Sequence, residues 1–199
     1  MPPNFARSSL TLVTGGARSG KSSFAEKTAL ESGLEVVFLA TAHAGDPEME
    51  TRIEKHRRDR PVQFTTRETP LDPVSVLKAE SSKDTMMLLD CFTVLLSNHL
   101  LQEAGVTGEN PGEEELLNDV SHLEEAAGRV EEFVEKLAEA CLESPSPLLV
   151  VTNEVGMGLV PENLLGRVFR DLAGRSNQLM ASRAEQVWFV ISGIPRRFK

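Results

Sequence analysis

The chain has 199 residues and a formal net charge of −9, enough length for one well-buried core and nothing that requires two domains, so a single domain over 1–199 is expected. Two cysteines, Cys91 and Cys141, with no CxxC pair, exclude a disulfide framework and a thiolate zinc site and read as reduced packing residues. No apolar run reaches membrane-spanning length and the first residues lack the pattern of a secretory signal, so a soluble, cytoplasmic protein without stable membrane insertion is expected.

The charge is localised. Between Glu113 and Glu143 stand eleven acids against two bases, Arg129 and Lys136, while the remainder of the chain balances. The acidity therefore reads as one solvated helical face, and it argues against a nucleic-acid partner.

In chain order, strand-like runs rich in Val, Leu and Phe fall at Leu10–Thr14, Glu35–Ala40, Gln63–Thr66, Thr85–Asp90, Leu148–Asn153 and Gln186–Ser192. Helical stretches separate most of them: Lys21–Ser32, a segment opened by Asp46-Pro47-Glu48 and running to about Arg58, then Pro73–Lys83, Phe92–Glu103, Ser121–Leu142 and Leu164–Ala184. The stretch 104–112 reads as a surface loop. This alternation predicts an α/β fold, a mostly parallel sheet with helices on both faces, whose ligands gather at the carboxyl ends of the strands.

One strand end carries a specific signal. Gly15-Gly16-Ala17-Arg18-Ser19-Gly20-Lys21-Ser22 follows Leu10–Thr14 with the G-x-x-x-x-G-K-S spacing of a phosphate-binding P-loop. A glycine-rich turn there directs backbone N–H groups inward and a helix begins with its positive end toward the same spot. Lys21 would reach the β and γ oxygens, and the Ser22 hydroxyl is placed to ligate a bridging magnesium ion.

Asp90 ends Met86-Met87-Leu88-Leu89, where an acid is tolerated only at the strand tip. It reads either as a second magnesium-holding element or as a cap on the following helix. Glu154, followed by Val155-Gly156-Met157-Gly158, can assist a metal, accept a substrate proton, or simply bond loop amides. His99 and His122 read as ordinary helix residues and His43 as a lining of the cleft. His56 stands among five cationic side chains in Arg52–Arg60, which favour a neutral, nucleophilic imidazole over imidazolium, although such a basic helix is commonly a solvated face. The residues alone leave three readings open: a bifunctional transferase, a kinase-only P-loop enzyme with His56 inert, and a non-catalytic RecA-like nucleotide-binding module.

Several separated motifs share one order. They are Thr14–Ser22, Ala40-Thr41-Ala42, the pattern Asp46-x-Glu48-Met49-x-x-Arg52-Ile53-x-x-His56-Arg57-x-x-Arg60-Pro61, Leu88–Cys91, Thr152–Asn163, Phe169–Gln178 and Ser192–Pro195. In these the chain resembles the bifunctional adenosylcobinamide kinase/adenosylcobinamide-phosphate guanylyltransferase family across nearly its whole length. The resemblance implies a P-loop NTPase fold of the RecA-like type and two reactions in one protein. A nucleoside triphosphate, ATP or GTP, phosphorylates the aminopropanol hydroxyl of adenosylcobinamide; GTP then gives GMP to adenosylcobinamide phosphate, with Mg2+ as the metal.

By the motif, His56 is the nucleophile that carries the guanylyl group, with Lys21 as the second catalytic residue. The implied guanine-nucleotide site comprises Gly15 to Ser22, then Ala40, Thr41 and Ala42, then Arg57, Arg58, Asp59 and Arg60, and finally Glu68 and Asp90; Glu68 would accept from guanine N–H groups. Ser22 and Asp90 are the implied metal ligands. The family further implies a homo-oligomer, with a trimer as the suggested form and the corrinoid held between subunits. Trp188, in a central strand, reads as core and not as a ring-stacking platform.

Overall fold

The computed structural model describes residues 9–42, 51, 54, 57–58, 60–107 and 113–199. Among these residues the seven strands are β1 (Leu10–Gly15), β2 (Glu35–Ala40), β3 (Thr65–Glu68), β4 (Thr85–Asp90), β5 (Leu148–Val151), β6 (Gln186–Ile191) and β7 (Ile194–Arg197). The continuous helices among the described residues are α1 (Lys21–Glu31), α2 (Pro73–Glu80), α3 (Phe92–Glu103), α4 (Glu113–Asn118), α5 (Val120–Glu143) and α6 (Leu164–Arg183), with a 3-10 turn at Val155–Met157.

The strands form one sheet in the order β3-β2-β4-β5-β1-β6-β7. Every pairing is parallel except β6 with β7. Strand β5 thus separates the P-loop strand β1 from the acid-ended β4, the layout of a RecA-like P-loop fold.

The inner strands β4 and β5 are buried on both faces because they are apolar at successive positions, as a parallel sheet requires. In β4, Met87 and Leu89 face one cluster while Met86 and Leu88 face the other, and all four are at most 1% exposed. Leu148 and Val150 likewise oppose Leu149 and Val151 in β5. Each such side chain contributes about 1.5–3 kcal/mol on burial. The larger cluster lies under α2, α3, α5 and α6; the smaller lies under α1, through Ala25 and Ala29, and takes in Trp188. Trp188 is 6% exposed, with its ring centroid 5.3 Å from that of Phe24, in the core as expected.

Helix α5 shows the periodicity that fixes its orientation: Leu123, Ala126, Ala127, Val130, Val134, Leu137, Ala138 and Cys141 form one buried stripe. Its start is set by Asp119, whose side chain accepts from the His122 N–H.

Some expectations shift. The strand placed at Gln63–Thr66 forms at Thr65–Glu68, and α2 ends at Glu80, not Lys83, because Ser81 is already extended. Strand β7 and helix α4 lie outside the expected elements. Glu113, counted among the solvated acids, is 8% exposed and accepts from the Thr107 N–H at 2.9 Å and its hydroxyl at 2.7 Å. His99 is half-buried, stacked on Phe133 at 3.7 Å between centroids, and its Nε2–H donates to the Leu71 carbonyl at 2.8 Å. Burial lowers its pKa. His122 similarly donates to the Ala104 carbonyl at 2.9 Å; both rings are structural clamps. Residues 108–112 of the expected loop lie outside the described residues.

Candidate nucleotide-binding site

The strand register lines up the carboxyl ends. Ala40 pairs with both Glu68 and Asp90, Asp90 pairs with Val151, and Val151 pairs with Val13 two residues before Gly15. One edge of the sheet therefore presents Glu68, Ala40, Asp90, the segment after Val151, and the P-loop, in that order. Residues separated by more than a hundred positions meet there for a single reason, the parallel pairing.

The loop has the geometry of a phosphate cradle. Gly15 has φ +152°, and a Cβ at that position would lie 2.4 Å from the Val190 carbonyl oxygen; only glycine lets β1 and β6 stay paired here. Arg18 takes φ +55° and Gly20, the N-cap of α1, φ +95° with no side chain capping the helix. The free N–H groups of the first turn of α1 are what an anion would satisfy.

Two buried polar groups in the loop point to the same ligand class. The Lys21 ammonium donates to the Gly16 carbonyl at 2.7 Å while the residue is only 6% exposed. Burial lowers its pKa, and the Asp90 carboxylate is among the charges that oppose this shift. The Ser19 hydroxyl is buried without a protein partner. A buried cation with one carbonyl partner and an orphaned hydroxyl cost free energy that phosphate oxygens would offset. Ser22 is half-buried at the head of α1.

The second wall of the cradle comes from the C-terminal hairpin. Ser192 and Gly193 both have positive φ, +49° and +80°, the combination of a tight type I′ turn between β6 and β7. The Gly193 N–H donates to the Ser19 carbonyl at 2.8 Å. Ser192 and Gly193 are readable as a strand end, but their bracing of the P-loop depends on β7, which the sequence pattern does not announce.

Around Asp90 the backbone is held from β2. Thr41, fully buried, donates its hydroxyl to the Cys91 carbonyl at 2.8 Å and accepts the Cys91 N–H at 2.9 Å, while the Asn98 amide donates to the Thr41 carbonyl at 2.9 Å. The N-cap position of α3 is Cys91, without a side-chain cap bond, so Asp90 stands one residue before it. Ala40 and Ala42 line the same edge, half-buried on either side of Thr41.

At the end of β5, Glu154 donates its N–H to the Gly15 carbonyl at 3.1 Å, and the Thr14 hydroxyl donates to Glu154 Oε1 at 2.6 Å. A buried network keeps this segment in place: Thr152 donates to Asn177 Oδ1 at 2.8 Å, Asn177 donates to the Asn153 carbonyl at 3.0 Å, and Thr93 accepts the Asn153 N–H at 2.7 Å. Thr93 and Asn177 are supports that reasoning on single motifs passes over.

The basic residues flank the edge beside β3. Arg57, Arg58, Arg60, Pro61, Thr66 and Glu68 are among the residues lining a cleft of about 350 Å³. Arg60 lies 3.6 Å over the Phe38 ring and donates to Thr66 Oγ1 at 2.8 Å. Burial lowers its pKa, against the pull of Glu26 and Asp90, so the guanidinium senses the acid at the strand tip. Glu68 is engaged in an ion pair with Arg57; a guanine base would have to share or displace that partner. Arg58 is exposed. His56, His43 and Asp59 lie outside the described residues, as do Arg52 and Ile53; of the expected helix, Thr51, Glu54, Arg57 and Arg58 are helical.

Among the described residues no cluster of three or more His, Cys, Asp or Glu side chains could hold a metal. Magnesium needs none, since one carboxylate, one hydroxyl, phosphate oxygens and water complete its shell; the donor set of Ser22 and Asp90 fits that chemistry. Cys91 and Cys141 are free thiols. No helix among the described residues is long and apolar enough to cross a membrane.

Comparison with known proteins identifies the family. The family model described as cobinamide kinase / cobinamide phosphate guanyltransferase matches residues 11–198. The chain is 40% identical over 190 residues to the bifunctional adenosylcobalamin biosynthesis protein CobU of Salmonella typhimurium strain LT2, covering 96% of this chain and 99% of that protein. It is 39% identical over 188 residues to the bifunctional adenosylcobalamin biosynthesis protein CobP of Pseudomonas aeruginosa strain PAO1, covering 94% and 96%. A solved protein of Pyrococcus horikoshii OT3 shares the fold with a TM-score of 0.50 at 10% identity, over 97% of this chain and 87% of that one. By the extent of these matches and the P-loop edge they contain, the chain belongs to the cobinamide kinase / cobinamide phosphate guanyltransferase family.

Proposed function

We propose that this protein phosphorylates the aminopropanol hydroxyl of adenosylcobinamide with a nucleoside triphosphate and then transfers GMP from GTP to adenosylcobinamide phosphate, releasing pyrophosphate. The observation that carries the reading is the shared sheet edge, where the P-loop, Asp90 and the Arg57–Arg60–Glu68 cleft stand side by side. A triphosphate in the loop would be gripped by Lys21 and the backbone N–H groups, with Arg57 and Arg60 next to it to pair with phosphoryl oxygens.

In the guanylyl step His56 is the nucleophile. Its imidazole nitrogen attacks the α-phosphorus of GTP, the bond to the bridging oxygen breaks, and pyrophosphate departs. The acceptor phosphate then displaces the imidazole and takes the GMP. Dividing the transfer replaces one encounter between two anions by two displacements at a cationic site. Ser22 and Asp90 would hold Mg2+, which when bound disperses charge on the phosphate oxygens. ATP and GTP both serve as candidate phosphoryl donors in the first step.

The same reading makes residues 1–199 one catalytic domain of a cytoplasmic homo-oligomer, a trimer in form, that acts on a corrinoid and not on nucleic acid or membrane. Light scattering of the purified protein tests the assembly. Incubation with α-labelled GTP tests the chemistry: wild type should retain an acid-labile, alkali-stable protein-bound GMP, His56→Ala should lose it, and His122→Ala should keep it. His56→Asn should leave kinase turnover measurable. Label retained by His56→Ala would exclude the covalent route through this residue.

A further inference from the structure

The kinase step needs a group to receive the proton of the acceptor alcohol. Lys21 and the basic cleft are cations, and Asp90 is the carboxylate placed for magnesium. Glu68, also on this edge, is engaged in its ion pair with Arg57, and a further carboxylate stands between Asp90 and the P-loop. Strand β5 lies between β4 and β1, so its continuation emerges between Asp90 and the P-loop.

Glu154 occupies that spot, and it is held from two directions. Its backbone N–H donates to the Gly15 carbonyl at 3.1 Å, tying it to the first residue of the cradle. Its Oε1 accepts the Thr14 hydroxyl at 2.6 Å. Among the described residues Oε2 takes no hydrogen bond, and the residue is half-buried. A carboxylate anchored through one oxygen and open at the other is pre-set for a proton transfer.

The chain immediately after it is an exposed apolar ledge. The 3-10 turn Val155–Met157 leads to Met157, Leu159 and Val160, which are 74%, 96% and 65% exposed. An acceptor with a large, partly apolar framework would rest there with its alcohol toward Glu154.

We propose that Glu154 is the general base of the phosphoryl-transfer step, an assignment that rests on the kinase reading above. Its Oε2 takes the proton as the alcohol O–H bond breaks. The alcohol oxygen bonds to the γ-phosphorus, and the bond from that phosphorus to its bridging oxygen breaks, leaving the electron pair on the nucleoside diphosphate. Thr14 is a positioning residue, holding the other carboxylate oxygen.

The test uses the purified full chain with adenosylcobinamide and MgATP or MgGTP, and follows corrinoid phosphorylation. Glu154→Gln should lower kcat about 10²- to 10⁴-fold while the KM for nucleotide stays within about threefold, since uniform nucleotide binding is untouched. Glu154→Asp keeps the base but shortens its reach, and should recover part of the lost kcat; it also serves if the glutamine variant does not fold. The yield of GMP labelling reports an intact nucleotide site in each variant. A kcat of Glu154→Gln within threefold of wild type would overturn the assignment. So would activity restored by excess magnesium, which would make the residue a metal ligand. If wild type labels with GMP but phosphorylates no corrinoid, the kinase reading itself fails and takes the assignment with it.

Discussion

The P-loop strand meets its neighbour at Gly15, and replacing that glycine by alanine is a direct test of the packing. The new Cβ would sit 2.4 Å from the Val190 carbonyl oxygen. That oxygen belongs to backbone in β6, paired with Gly15 in register, so no side-chain rotation can relieve the overlap. Moving a packed central strand costs about 1–3 kcal/mol, and an alanine held at φ +152° adds about 1–3 kcal/mol of backbone strain. Together these give a loss of about 2–6 kcal/mol, a large share of the ~5–15 kcal/mol that holds a typical domain folded.

The matched comparison is Gly128→Ala. This glycine is exposed inside the 24-residue helix α5 and an added Cβ meets nothing within 4 Å. There alanine should stabilise by about 0.5–1 kcal/mol through helix propensity. Urea unfolding followed by circular dichroism checks both, with the midpoint falling for Gly15→Ala and rising for Gly128→Ala at constant slope. Gly15→Ala should also lose nucleotide binding, because the displaced strand carries the first cradle residue. If the Gly15→Ala midpoint matches that of wild type, the close approach of β1 to β6 is not what selects glycine there.

Lys21→Met should lower both reactions by roughly 10²–10³-fold, the range for losing one donor aimed at developing phosphate charge. Its urea midpoint should not fall, because burial already disfavours the ammonium in the fold; a clear loss of stability would show that the charge is structural. The two thiols give a pH signature. Burial pushes both Cys91 and Cys141 up to about 12 from 9.0. Between those limits the unfolded chain releases thiol protons that the fold retains, so stability is complete below about pH 9 and declines as pH rises toward about 12. The chain contains no tyrosine to mask this, and Cys141→Ala should make the decline shallower. Iodoacetamide at pH 8 should leave the buried Cys141 unmodified until the protein unfolds; rapid native labelling of that thiol would contradict its burial.

Much of the nucleotide site was legible because its parts are contiguous. A P-loop is one strand, one turn and the first turn of one helix, and each is specified by neighbouring residues: Leu10–Gly15 by its apolar run, Gly15 and Gly20 by the backbone conformations they allow, Lys21 and Ser22 by spacing. The tip position of Asp90 follows from the apolar residues before it. The basic stretch at Arg57–Arg60 was equally visible, and its grouping with Glu68 came from the family resemblance, but the Arg57–Glu68 pair was not visible.

What escaped is what the chain assembles across distance. Strand β7 contains Pro195 and only scattered apolar residues, so its local pattern is weak; as an edge strand it tolerates the proline and is recognised only through its pairing with β6. Glu113 reads as one more surface acid until the fold sets its carboxylate against Thr107.

From sequence alone came the element types, the phosphate loop and the residues able to act on a nucleotide, because those depend on side-chain type and short spacing. Tertiary structure decided the strand order, the bracing of Ser19 by Gly193, the clamp of Thr41 on Cys91, and the hydrogen bond from Thr14 to Glu154 across 140 positions of chain. Backbone pairing between strands fixes register over any sequence separation, and no local pattern of residues encodes which distant carboxylate a given hydroxyl will meet.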